Sequence, residues 1–240
     1  MVAVVVPFRP GCPHRERAWA WLRQQYANFH PDFEVIEARA PAGQWCKAAA
    51  LNPAIEATEA EIIVQADADV WPFGLEEAIA AVRAGAPWAI PHQMVHRLDE
   101  QASEAVIAGG DWTRQRLEQA SYCGVAGGGV LVARRETLLT VPLDSRFLGW
   151  GNEDESHAMA LNTVAGERWR GTGDLIHLWH PPQVRPHRRR GSQESWDLRY
   201  RYSQAVDDPA AMAALIEEGR RVHSPSDEHR SKDHPALSVG

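Results

Sequence analysis

Ile62-Ile63-Val64-Gln65-Ala66-Asp67-Ala68-Asp69-Val70 is the stretch on which the reading of this chain turns. An apolar run of β-branched residues stops abruptly on two carboxylates, just before Trp71-Pro72. It reads as a buried strand with an acidic end. Asp is depleted in strands, so two in alternation need a reason. Residues i and i+2 of an extended chain point to one side, so Asp67 and Asp69 are expected to converge. Two negative charges at one spot repel unless a cation lies between them. A hard divalent ion that also grips a diphosphate suits that place. A solvated Asp-rich turn is the plain alternative.

Strands and helices alternate around this stretch. Residues 2–6 are a β-branched run bounded by Pro7 and Pro10, as in a buried parallel strand. Residues 16–28 carry Ala18, Trp19, Trp21, Leu22 and Tyr26 at helical spacing. A second strand follows at 33–36 and a helix at 47–58. Pro53 inside that helix either lies in a first turn capped by Asn52 or kinks it. The strand at 62–65 ends at the carboxylates, 75–83 is helical and 88–90 is a short strand. The alternation predicts an α/β fold with a mainly parallel central sheet. Ligands of such sheets bind outside the carboxyl ends of the strands, where Arg9 and the Asp pair lie.

Residues 92–121 break the alternation. They are polar, with helical pieces expected at 101–108 and 112–119, and read as an insertion over the site. Gly127-Gly128-Gly129 opens an apolar strand at 130–132, implying close backbone approach by a ligand or by another strand. Gly149-Trp150-Gly151 is a flexible loop with one large aromatic, before a helix at 153–164 for which Asn152 is the candidate N-cap. A last strand is expected at 175–179, a helix at 209–222 and a polar tail at 224–240. The expected division is one domain over 1–202, including the 92–121 segment, and a C-terminal helix and tail over 203–240.

The net charge is −7, which argues against a general nucleic-acid binder. Cys12, Cys46 and Cys123 are odd in number and form no Cys-x-x-Cys pair, which predicts a reducing compartment. No apolar run approaches the roughly 20 residues of a membrane span. Val2-Ala3-Val4-Val5-Val6 directly after Met1 lacks the basic start of a signal peptide. The expectation is a cytoplasmic protein of a bacterium or phage, with no membrane insertion.

Other residues carry chemistry. Glu153-Asp154-Glu155 opens a helix, where the macrodipole alone favours acids. Directly after a Gly-flanked aromatic they also suit a lid that closes over a sugar, with one carboxylate taking a proton from an attacking hydroxyl. In His177-Leu178-Trp179-His180-Pro181-Pro182 the two imidazoles suit a first-row divalent ion. On a continuous strand they face opposite sides, so His180, at the strand's end, is the better ligand. A mixed oxygen and nitrogen set leans to manganese over magnesium. Arg9, Arg15, Arg17 and Lys47 supply positive charge near the first strand. The basic run 185–190 reads as a solvated loop or as one that closes on an anion.

Taken in order, Pro7-Phe8-Arg9, Lys47 with Asn52, Asp67-Ala68-Asp69, Gly128-Gly129-Val130, Trp150-Gly151-Asn152-Glu153-Asp154 and His177-x-x-His180 resemble the β-1,4-galactosyltransferases and their bacterial relatives. The resemblance runs from about Val2 to Pro182, and the Trp-Gly-x-Glu-Asp run with its downstream His is its most specific part. It implies a GT-A, Rossmann-like fold and a metal-dependent inverting glycosyltransferase. Pro7 and Arg9 would meet the uridine of a UDP-sugar, and Lys47 would lie near its diphosphate. Asp69 would bind Mn2+ (or Mg2+), supported by Asp67, with His180 as second ligand and His177 where a further one occurs. Trp150 would be the lid aromatic, Glu153 would hold sugar hydroxyls and Asp154 would be the base. Asn152 stands where the family has Gly, and Glu155 where it has a third acid. The segment 92–121 is extra, so Arg97, Arg114 and Arg116 are expected on the acceptor side.

The reading is transfer of a sugar from a UDP-sugar to an acceptor hydroxyl of a saccharide, a protein or a modified nucleobase. A retaining or nucleotidyl-type transferase, a metal hydrolase and a non-catalytic nucleotide-sugar-binding module are the alternatives.

Overall fold

The computed structural model describes residues 1–124, 127–183 and 191–221. Within them eight strands form one sheet: β1 (Val2–Pro7), β2 (Glu34–Ala38), β3 (Ile62–Ala66), β4 (Val70–Pro72), β5 (Trp88–Arg97), β6 (Tyr122–Cys123), β7 (Val130–Arg134) and β8 (Trp169–His177). Their order is β2-β1-β3-β7-β5-β8-β4, with β6 beside β5. β2, β1 and β3 run parallel, as do β5 and β8. β7 enters antiparallel between β3 and β5, and β4 pairs antiparallel with β8.

Among the described residues, eight helices cover the sheet: α1 (Pro13–Phe29), α2 (Lys47–Ala57), α3 (Leu75–Arg83), α4 (Glu100–Ile107), α5 (Arg135–Thr140), α6 (Glu153–Val164), α7 (Gln193–Gln204) and α8 (Pro209–Arg221). The strand alternation explains why β1 is apolar throughout. Val2, Val4 and Val6 face one core with Trp19 and Leu22 of α1, Ile79 of α3 and Val106 of α4. Ala3 and Val5 face a second core with Leu51 of α2, Leu161 of α6, Tyr202 of α7 and Met212 of α8. A strand covered on both faces has no polar side to show. Fully burying each large apolar side chain contributes about 1.5–3 kcal/mol.

Several elements differ from the sequence expectation. β5 runs on to Arg97, so residues 92–97 belong to the sheet and only the chain from Leu98 leaves it. Pairing with β8 along this stretch overrides its polar composition. Beyond α4, the helix expected at 112–119 is a single 3₁₀ turn, Trp112–Arg114, followed by a bridge between Leu98 and Leu117. α2 begins at Lys47 with Pro53 in its interior, so Asn52 caps nothing. β8 ends at His177, two residues earlier than expected, and α5 and α7 were not expected at all. The tail 224–240 and the basic run 185–190 lie outside the described residues. No helix among the described residues is long and apolar enough to cross a membrane.

Candidate active site

A cleft of about 610 Å³ opens beyond the ends of β1 and β3. Its floor is the turn between β3 and β4. Asp67 N–H donates to Gly129 O at 2.9 Å, and Leu178 N–H donates to Asp69 O at 2.8 Å. The starts of β4 and β7 and the end of β8 therefore fix both aspartates. Because the chain turns here, their carboxylates diverge toward two different sets of partners, where an extended chain would have brought them together.

Asp69 is 4% exposed and faces three cationic or cation-binding groups. Its Oδ2 accepts from Arg15 Nε at 3.0 Å and lies 3.3 Å from His180 Nε2. His177 Nε2 lies 3.7 Å from Oδ1. Burial alone would raise the Asp69 pKa, but His177, Arg15 and His180 outweigh it and hold the carboxylate ionised below its usual range. Burial pushes His177 down to about 4 and lowers His180 as well, so both rings are neutral at pH 7. One oxygen and two imidazole nitrogens, within 4.8 Å of one another, form the three-residue cluster. Both histidines take part because β8 stops at His177 and the chain bends before Pro181. This mixed donor set, already holding the Arg15 cation, fits a first-row divalent ion.

The second set is built on Lys47 at the start of α2. Its ammonium lies 2.8 Å from Asp67 Oδ1 and 2.8 Å from Asp154 Oδ1. Asp67 thus lies outside the three-residue cluster and pairs with Lys47. Burial would lower the Lys47 pKa, but Asp154, then Asp67, hold it above its usual value. Enclosure in the cleft pushes Asp154 up to about 7; Lys47 opposes the rise, while Glu153 and Asp67 add to it. Asp154 stands in the first turn of α6. Glu153 Oε2 accepts from Gly151 N–H at 2.7 Å, which ties the loop before the helix to the helix itself.

Glycines make this approach close. Gly127 has φ +80°, and a Cβ there would lie 2.5 Å from Asp154 O. Gly129, which lines the cleft, also has φ +80°, and a Cβ there would lie 2.7 Å from Leu175 Cδ2. Asn152 has φ 76°, alone among the described non-glycine residues in the left-handed region. Asn tolerates that conformation better than most residues. Asn152 is the N-cap residue of α6, as expected, but its side chain makes no capping bond to the helix.

An aromatic stack forms one wall. Trp150 stacks on Trp45 at 5.6 Å between centroids and 13° between planes. The Arg9 guanidinium lies 5.2 Å from the Trp45 centroid and Arg15 lies 5.7 Å from that of Trp150. Pro7, Arg9, Arg15, Lys47, Asp67, Asp69, Gly129, Trp150, Glu153, Asp154, His177 and His180 all line the cleft. Asn52 does not. Its amide bonds Leu143 O at 2.9 Å and Leu143 N at 3.2 Å, so it braces a loop behind the cleft. Arg97 and Tyr122 line the cleft, but Arg114 and Arg116 are exposed and pair with Asp111 and Asp99. Trp45 was missed in the sequence; the available signal was an aromatic two residues before Lys47.

No protein-family model and no curated protein matches this chain. Solved structures do resemble it. GalNAc-T7 with UDP, GalNAc and Mn2+ aligns with a TM-score of 0.52 at 11% identity, over 91% of this chain and 55% of that one. The present chain thus spans little more than half of GalNAc-T7. Glucosyl-3-phosphoglycerate synthase from Mycobacterium tuberculosis, with Mn2+, UDP-glucose and phosphoglyceric acid, aligns at 0.47 and 13% identity over 90% and 79% of the two chains. A Drosophila β1,4-galactosyltransferase 7 mutant with manganese, UDP-Gal and xylobiose aligns at 0.44 and 16% identity over 80% and 74%. What the GalNAc-T7 likeness shows at 11% identity is architecture, and it is the architecture that the motifs predicted: the chain has the GT-A glycosyltransferase fold.

Proposed function

We propose that this chain is a metal-dependent inverting glycosyltransferase that moves a sugar from a UDP-sugar to an acceptor hydroxyl. The observation that carries the reading is one cleft holding two separate acidic centres. Asp69, His177 and His180 form a nitrogen–oxygen set suited to Mn2+ or Mg2+. Asp154 forms the other, with a pKa pushed up to about 7 and a cation at 2.8 Å. GalNAc-T7, which shares the fold, is seen with UDP and Mn2+.

When bound, the ion offsets negative charge on the leaving diphosphate. The chain's own residues do the rest. Arg9 and the Trp45–Trp150 stack offer a planar cationic and aromatic wall for the nucleotide. Lys47 and Arg15 supply positive charge toward the diphosphate. Asp154 Oδ takes the proton from the attacking acceptor hydroxyl, a role that suits a carboxyl titrating near the operating pH. Glu153 holds sugar hydroxyls beside it, and Trp150 excludes water as the Gly-flanked loop closes. A panel of nucleotide-sugar donors, scored by UDP release with Mn2+ and with chelator, tests the reading. Turnover of a UDP-sugar that needs the metal is expected; equal release in chelator would contradict the metal role.

A further inference from the structure

The metal reading of Asp69, His177 and His180, on which this inference rests, leaves one contact unexplained. Arg15 reaches both Asp69 and His180. Its Nε donates to Asp69 Oδ2 at 3.0 Å, and its Nη2 lies 3.2 Å from His180 Nε2. The His180 ring is oriented by Pro181, whose carbonyl lies 2.8 Å from Nδ1. A carbonyl only accepts, so Nδ1 carries the proton and Nε2 presents the ring's single lone pair. A guanidinium only donates, so Arg15 uses that lone pair. Asp69 has lone pairs enough to keep Arg15 and bind an ion at once. His180 Nε2 does not.

We propose that Arg15 is a built-in competitor of the metal: its guanidinium stands in for the cation in the resting protein, and the Arg15–His180 contact and metal ligation by His180 exclude each other. The Arg15 side chain also lies 5.7 Å from the Trp150 ring centroid. Metal arrival therefore changes what holds a guanidinium seated against the lid aromatic. The same arrangement keeps Asp69 from standing as an unpaired buried charge while the ion is away, which would be costly.

The test is Mn2+ alone, titrated without nucleotide and followed by the electron paramagnetic resonance of free Mn2+. Arg15→Met should bind Mn2+ about tenfold more tightly than the unaltered protein, the scale of one charge-assisted hydrogen bond to be broken. Removing a cation also helps metal binding through bulk charge, but that effect is screened by salt. The ratio should therefore persist at about 0.5 M salt, where the Debye length is only a few ångströms. A variant that binds Mn2+ no better than the unaltered protein would overturn the inference, and so would an advantage that vanishes in salt. Arg15→Ala supplies the same readout should Arg15→Met not fold. If neither the unaltered protein nor the variants bind Mn2+, it is the metal reading that fails.

Discussion

Lys47 Nζ donates to Asp154 Oδ1 at 2.8 Å across 107 residues of chain, tying the start of α2 to the start of α6. The same ammonium holds Asp67 at 2.8 Å. One buried cation thus links the carboxylate after β3 to the proposed base.

Lys47→Met should change the pH dependence of turnover. Asp154 acts as a base only when deprotonated, and burial has already moved it up to about 7. Lys47 opposes that rise, so its loss leaves burial, Glu153 and Asp67 unopposed. The acid limb of kcat/KM should move to higher pH, and the rate at pH 7 should fall about fivefold for the first pH unit that the limb moves and about tenfold for each further one. A pH–rate profile checks this; an unmoved acid limb would show that Lys47 does not govern Asp154.

Asp69 and Asp67 should separate in their effect on metal coupling. Asp69 faces His177 and His180, whereas Asp67 faces Lys47. In calorimetry, UDP affinity should rise on adding Mn2+, and Asp69→Asn should abolish most of that gain while Asp67→Asn spares more of it. The reverse order would place the ion between Asp67 and Asp154.

Asn152 occupies a left-handed position at φ 76°. Asn152→Gly should keep the fold and the activity. Asn152→Ala should be less stable than Asn152→Gly by about 1–2 kcal/mol in urea denaturation, the penalty of a Cβ in that conformation without the local hydrogen bonding that an Asn side chain offers. An alanine variant as stable as the glycine one would mean that the loop re-forms without the left-handed residue.

Much of this was legible in the sequence because the signals were local. The β-branched runs of β1 and β3, the span of α6 and the carboxylates after β3 are all contiguous patterns. Pairing across the sheet was not legible. It turned the polar residues 92–97 into strand and brought Arg97 to the cleft. Asp67 and Asp69 diverge because backbone bonds to Gly129 and Leu178 bend the chain, and neither partner is near in sequence. Asn52 looked like a site residue with Lys47, but five residues of helix, about 1.4 turns, carry it to another face of α2, where it braces Leu143. Trp45 gains its meaning only from the stack with Trp150.

Buried histidines should make the fold acid-sensitive. His157 Nε2 donates to Val141 O at 2.9 Å, and burial lowers its pKa from 6.5 to about 4. His92, fully buried, is likewise lowered to about 4, first by burial and then by Arg170. The unfolded chain takes up these protons first as pH falls, so their stabilisation is whole above pH 6.5 and lost between 6.5 and about 4. Each histidine contributes on the order of 3 kcal/mol in this way. Asp154, raised in the folded protein, works in the opposite sense over the same range. Urea denaturation between pH 7 and pH 4.5 should show falling stability, and His157→Gln should flatten the slope. An unchanged slope would mean that His157 does not titrate with unfolding.

Asp154→Asn tests the central claim most directly. The substitution keeps the shape and removes the proton acceptor. A base is needed only as the hydroxyl attacks, so its loss should raise the barrier and leave ground-state donor binding nearly alone. With a UDP-sugar and acceptor that the unaltered protein turns over, kcat should fall by about 10² or more, while UDP–Mn2+ affinity stays within a few-fold. Turnover near that of the unaltered protein would contradict Asp154 as the inverting base and move a retaining mechanism ahead of it.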